Sequence, residues 1–143
     1  MNILFLGAPG SGKGTQSKNI EEKFNIPQIS TGDLLRAETA SESKMGQELK
    51  NIMSSGKFVS DDIVLKLVSK KITSSDCKNG FILDGFPRNL SQASSLDSLL
   101  NDLDLSIEYV FLIDVPADLI IKRCVGRITC NTCGKIENEY FSD

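Results

Sequence analysis

The sequence predicts an α/β fold, a parallel sheet flanked by helices, and three observations predict it. Short apolar runs alternate with amphipathic stretches along the chain, the pattern that successive strand-crossover-strand units require. Met1 to Leu6 (Met-Asn-Ile-Leu-Phe-Leu) is a nearly continuous apolar run, as expected for a parallel strand buried on both faces. Directly after it comes Gly7-Ala8-Pro9-Gly10-Ser11-Gly12-Lys13-Gly14-Thr15, a glycine-rich turn that opens a helix-like segment.

That turn reads as a phosphate cradle. Glycines let the backbone adopt positive φ and wrap round an anion with successive N–H groups turned inward. From Lys13 to about Phe24, Ile20 and Phe24 lie four apart among polar residues, which suits a surface helix whose N-terminal amides also point at phosphate. Gly7, Gly12 and Lys13 carry the spacing of the P-loop pattern, with Lys13 as the charge for the β/γ-phosphates, so the fold class narrows to a P-loop NTPase-type sheet. The residue after the lysine is Gly14, and the hydroxyl arrives one position late at Thr15. A magnesium ion is therefore expected on nucleotide oxygens and water rather than on a loop hydroxyl.

With 143 residues the chain is expected to form one domain with a real core. Its 16 Lys+Arg and 19 Asp+Glu give a net charge of -3 with no run of like charges, which favours a small ligand over nucleic acid or an anionic membrane. No apolar run approaches the roughly 20 residues that span a bilayer. The N-terminus lacks a basic segment followed by an apolar one, so a cytoplasmic protein is expected. Its four cysteines then read as free thiols or metal ligands rather than a disulfide framework. Histidine is absent, so the chemistry must use Lys, Arg, Asp and backbone amides.

The remaining elements follow in order. Pro27 to Ser30 is a short extended segment, and Ser30-Thr31-Gly32-Asp33 starts a helix at Leu34-Leu35-Arg36. Residues 40–60 are polar and serine-rich, with a modest helical stretch over 46–53. Ser60-Asp61-Asp62 opens a helix whose apolar stripe is Ile63, Val64, Leu67, Val68 and Ile72. Phe81-Ile82-Leu83-Asp84 is a buried strand that delivers an acid at its C-terminal end, the arrangement used to orient hydrated magnesium beside a P-loop, and Gly85-Phe86-Pro87-Arg88 follows. Leu96, Leu99, Leu100 and Leu103 form the core stripe of the next helix. Glu108 to Asp114 is the fourth strand, Pro116 fits the first turn of a helix reaching about Cys124, and Arg123 and Arg127 sit four apart around it.

Three of these stretches, Gly7 to Gln16, Ser30-Thr31-Gly32-Asp33-Leu34-Leu35-Arg36 and Asp84-Gly85-Phe86-Pro87-Arg88, resemble hallmark motifs of the adenylate kinase family, in which glycine followed by threonine after the lysine is itself characteristic. The resemblance implies transfer of a phosphoryl group from MgATP to AMP, giving two ADP. It implies an ATP site at Gly10, Ser11, Gly12, Lys13, Gly14, Thr15, Arg123 and Arg127. It implies an AMP site at Thr31, Arg36, Lys57, Phe58, Val59, Gly85, Arg88 and Gln92, with Gln92 on the adenine edge. The groups that carry catalysis would be Lys13, Arg88, Asp84, Arg123 and Arg127. Taken alone, Thr31 reads as a helix cap, Arg36 as a surface charge and Gln92 as a polar helix residue. The family pattern divides the chain into a core (1–29 and 60–126), a flap over the monophosphate (30–59) and the start of a lid (127–143), and implies a monomer.

Cys130-Asn131-Thr132-Cys133-Gly134 resembles the first knuckle of the zinc-bearing lid of some adenylate kinases. Cys130 and Cys133 would supply two of the four ligands that a structural zinc wants. The chain is thus expected to be a truncated protein or fragment, lacking the family's remaining lid, C-terminal strand and helix and exposing apolar surface. Two rival readings stand beside the kinase: a nucleotide-binding fragment without turnover, and a monophosphate kinase with a uridylate or cytidylate acceptor.

Overall fold

The computed structural model describes residues 1–55, 59–133 and 136–141. The apolar start of the chain forms β1 (Asn2–Gly7), the glycine-rich turn follows, and α1 spans Lys13–Phe24. Next come β2 (Gln28–Ser30), α2 (Thr31–Ala40), α3 (Lys44–Ser54) and α4 (Asp61–Ile72). β3 (Phe81–Asp84), α5 (Leu90–Asp102), β4 (Tyr109–Ile113) and α6 (Ala117–Val125) complete the main body, and β5 (Arg127–Thr129) and β6 (Ile136–Asn138) form a small hairpin.

Four parallel strands make the sheet in the order β2-β3-β1-β4. Side chains of β1 alternate between its faces, as strand geometry demands. Leu4 joins Leu83 and Phe81 against Val68 and Ile72 of α4 and Leu96 and Leu100 of α5. Ile3 and Phe5 pack on the other side with Ile82, Ile26 and the partly buried Ile20 of α1. Parallel pairing brings the C-terminal ends of β1 and β3 side by side, with Phe5 opposite Asp84. Ser30, the last residue of β2, also lies opposite Asp84. The glycine-rich turn, the Ser30-Thr31 turn and the Asp84–Arg88 segment therefore emerge along one edge, where α/β sheets bind ligands.

Three local features refine the sequence-based expectation, and one of them, Pro116, differs from it. Pro116 is the residue before the helix rather than within its first turn, its extended ψ of 141° keeping it outside α6. Arg127 lies beyond α6 on β5. Cys130 and Cys133 follow the first strand of an antiparallel hairpin in which Arg127 to Thr129 pair with Asn138 to Ile136. β4, at the sheet edge, leaves Tyr109, Val110, Phe111 and Leu112 exposed, although the Phe111 ring stacks on Phe5 with centroids 5.4 Å apart.

Candidate active site

The P-loop curls because Gly10 and Gly12 take φ values of 83° and 105°, a region that disfavours any residue with a Cβ. α6 also closes on it from outside: a Cβ at Gly10 would lie 2.7 Å from Cys124 Sγ. No side chain caps α1, so its first-turn amides and dipole remain directed at the loop. Lys13 Nζ donates to the carbonyls of Gly7 (2.8 Å) and Ala8 (3.0 Å). These are weak partners for an ammonium, and phosphate oxygens would outcompete them.

A cleft of about 520 Å³ runs from this loop to the opposite wall, lined by Lys13 and Pro9 on one side and Thr31, Gly32, Gly85 and Arg88 on the other. Asp84, at its floor, is the only carboxylate among the described lining residues. A Cβ at Gly14 would come within 3.7 Å of Asp84 Oδ2, so the carboxylate faces the position where the P-loop pattern normally carries a hydroxyl. A hard oxygen donor beside a loop with no hydroxyl at that position suits magnesium held through water. Gln28 Nε2 donates to Asp84 Oδ2 at 2.7 Å and holds the carboxylate there. Sequence reasoning missed Gln28; its signal was a polar residue on a strand that must pair inside a sheet.

The far wall is built round Thr31, which is 4% exposed. Its hydroxyl donates to Gly85 O at 3.2 Å and accepts from Arg88 Nη2 at 3.3 Å. Arg88 Nε donates to the same Gly85 carbonyl at 2.7 Å. These bonds occupy Nε–H and one Nη2–H of the five donors on a guanidinium, leaving the rest of the fork for an oxyanion. Gly85 has a φ of 80°, and that left-handed turn aims its carbonyl at both partners. Arg36 lies over Gly32 at the rim, its Nη1 3.3 Å from where a Gly32 Cβ would sit. It is paired with Asp33 at 2.5 Å, and the guanidinium holds that carboxyl below its usual range.

Gln92 stands behind Arg88, buried, with Oε1 accepting from Arg88 N–H (2.7 Å) and Nε2 donating to Asp61 Oδ1 (2.6 Å). Val59 is half-buried and does not line the cleft, and Lys57 and Phe58 lie outside the described residues. On the loop side, Arg123 Nη1 donates to Ser11 O at 3.1 Å, and Cys124 Sγ lies 3.5 Å from Pro9 O. The hairpin is tied in through Asn138 Nδ2, which donates to Arg123 O at 2.9 Å. Arg127 is exposed on β5. The arrangement therefore gathers Lys13, Asp84, Thr31 and Arg88 on one cleft, keeps Arg36 and Arg123 at its margins, and leaves Arg127 outside it.

Cys130 and Cys133 are exposed, and the Cys130 thiol is lowered to about 7, chiefly by the main-chain N–H of Cys133. Among the described residues no group of three or more His, Cys, Asp or Glu could hold a metal ion, so the pair gains no further ligands for zinc. No helix among them is long and apolar enough to cross a membrane.

The family model described as adenylate kinase matches residues 5–140. The chain is 50% identical over 142 residues to an adenylate kinase of Thermodesulfovibrio yellowstonii, covering 99% of this chain and 66% of that protein. It is 46% identical to the adenylate kinases of Nitrosococcus oceani and Archaeoglobus fulgidus, in each case over 99% of this chain and 65% of the relative. The chain thus spans slightly less than two thirds of the length of these relatives. A match that runs through the P-loop, the Thr31 turn, the Asp84–Arg88 segment and the hairpin alike means that this chain belongs to the adenylate kinase family.

Proposed function

We propose that the chain forms the phosphoryl-transfer site of an ATP:AMP phosphotransferase, which converts MgATP and AMP into two ADP. One observation carries this reading: a cationic P-loop and the Thr31–Arg88 wall face each other across a single cleft with Asp84 between them. Two phosphate-binding walls on one cavity suit a donor and an acceptor meeting end to end.

The acceptor phosphate is an ionised nucleophile, so no general base is needed and the lack of histidine carries no penalty. An oxygen of that phosphate bonds to the γ-phosphorus while the bond from the γ-phosphorus to the β–γ bridging oxygen breaks, leaving ADP on both sides. Lys13 leaves the Gly7 and Ala8 carbonyls for the β/γ-oxygens, and the loop amides from Gly10 to Thr15 hold the donor. Arg88 and Arg36 grip the acceptor phosphate, with Thr31 and Gly85 fixing the Arg88 fork. Arg123 and Arg127 close on the ATP side, and Gln92 meets the acceptor's adenine, with Lys57, Phe58 and Val59 beside it. Magnesium, bound with ATP, neutralises charge on the phosphoryl oxygens, and Asp84 would hold its water shell. Residues 30–59 act as the flap, 127–143 as the start of the lid, and 1–29 with 60–126 as the core. The protein works as a cytoplasmic monomer.

ADP formation from MgATP and AMP by the 143-residue chain tests this, with AMP omitted in one arm and Lys13→Ala in another. AMP-dependent turnover that falls by roughly a hundredfold or more in Lys13→Ala is the expected result. MgATP binding that needs Lys13 but supports no turnover would contradict it and leave a nucleotide-binding chain.

A further inference from the structure

Gln92 is a residue whose orientation can be read from its partners alone. A primary amide has a donor end and an acceptor end that exchange on a half-turn of its last torsion. The main-chain N–H of Arg88 can only donate, and it meets Gln92 Oε1 at 2.7 Å. An ionised carboxylate can only accept, and Asp61 Oδ1 meets Nε2 at 2.6 Å. A reversed amide would set N–H against N–H and oxygen against carboxylate. At 7% exposure, little water is at hand to relieve the clash. The Arg88 lock is main chain; the Asp61 lock is a side chain, on the first turn of α4, and can be removed. Together the two bonds take one hydrogen of Nε2 and one lone pair of Oε1, leaving one donor and one acceptor in a fixed order.

The geometry points to Asp61 as a positioning residue that sets acceptor-base specificity by fixing the order in which Gln92 presents donor and acceptor. This rests on the reading of Gln92 as the group that meets the acceptor's base. Adenine offers an amino donor at its six position and an acceptor at N1, the complement of Oε1 and Nε2. Hypoxanthine offers a carbonyl and an N1–H, the reverse at both positions, so a fixed amide opposes it while a free one could turn to suit it.

The test is equilibrium binding of AMP and IMP by calorimetry, on the unsubstituted 143-residue chain, Asp61→Asn, Asp62→Ala and Gln92→Leu. In Asp61→Asn the new amide can donate as well as accept, so only the Arg88 N–H still opposes reversal of Gln92, and the preference for AMP over IMP falls roughly fivefold or more. Asp62→Ala, which removes the other first-turn carboxylate of α4, keeps the preference. An unchanged preference in Asp61→Asn beside a lost one in Gln92→Leu overturns the role of Asp61 alone. Equal losses of AMP and IMP affinity in Asp61→Asn, with a lowered melting temperature, make Asp61 merely structural and overturn it too. An unchanged preference in Gln92→Leu, or no AMP binding by the unsubstituted chain, overturns both this assignment and the reading of Gln92 beneath it.

Discussion

Single side chains at the site are held by polar bonds that an incoming phosphate can exploit or replace. Asp33 illustrates the first kind. Its bond to Arg36 depresses its carboxyl, so the pair stabilises the fold above the ordinary carboxylate range near ~3.9 and the contribution disappears as pH falls through the lower folded value. Both side chains are largely exposed, which limits the effect. Asp33→Asn is expected to cost about 0.3–0.5 kcal/mol at neutral pH, with melting curves that converge with those of the parent as pH is lowered through the depressed carboxyl value of Asp33. Ser17 is the opposite case: fully buried on α1, its hydroxyl has no partner among the described residues. Ser17→Ala should be neutral or stabilising by up to about 1 kcal/mol, read as an unchanged or raised melting temperature. Much at this scale was legible. Lys13 announces itself at the end of the glycine-rich turn, Asp84 at the end of an apolar strand and Arg88 in the short segment after it. Gln28 and Asp61 do not, because their importance lies in partners 56 and 31 residues away.

At the scale of elements, the α2–α3 corner is closely packed. Ser43 caps α3 by accepting from Gly46 N–H at 2.8 Å, and its own hydroxyl donates to Glu38. A Cβ at Gly46 would fall inside contact distance of the Glu38 carbonyl oxygen and 2.7 Å from Ser41 Oγ. Gly46→Ala should therefore cost about 1–3 kcal/mol and, with the corner inside the proposed flap and the P-loop outside it, weaken AMP binding while sparing MgATP. Calorimetry with each nucleotide would separate the two. The first helix was legible from its start at Lys13 to its end near Phe24, since its glycine-rich start and apolar spacing agree. The hairpin was not, because three-residue strands carry too little alternation to be told from a loop.

For the whole molecule, stability rests on the two faces of β1 and β3, not on the sheet's β4 edge. Leu83 is 0% exposed and Leu112 is 70% exposed. Leu83→Ala should cost about 2–5 kcal/mol in chemical denaturation, whereas Leu112→Ser should stay within about 0.5 kcal/mol. The alternation of apolar runs and amphipathic stretches predicted a parallel sheet, yet the strand order depends on pairings that no local pattern records. That order matters because it sets Asp84 between the P-loop after β1 and the Thr31 turn after β2.

One cleft is proposed to take two nucleotides end to end. The most direct measurement is calorimetric binding of a single molecule bearing adenosine at both ends of a five-phosphate chain. One molecule should bind per chain, displaced by ATP and by AMP alike and weakened by Lys13→Ala and by Arg88→Ala. Binding of two per chain, or displacement by ATP with no response to AMP, would contradict the account.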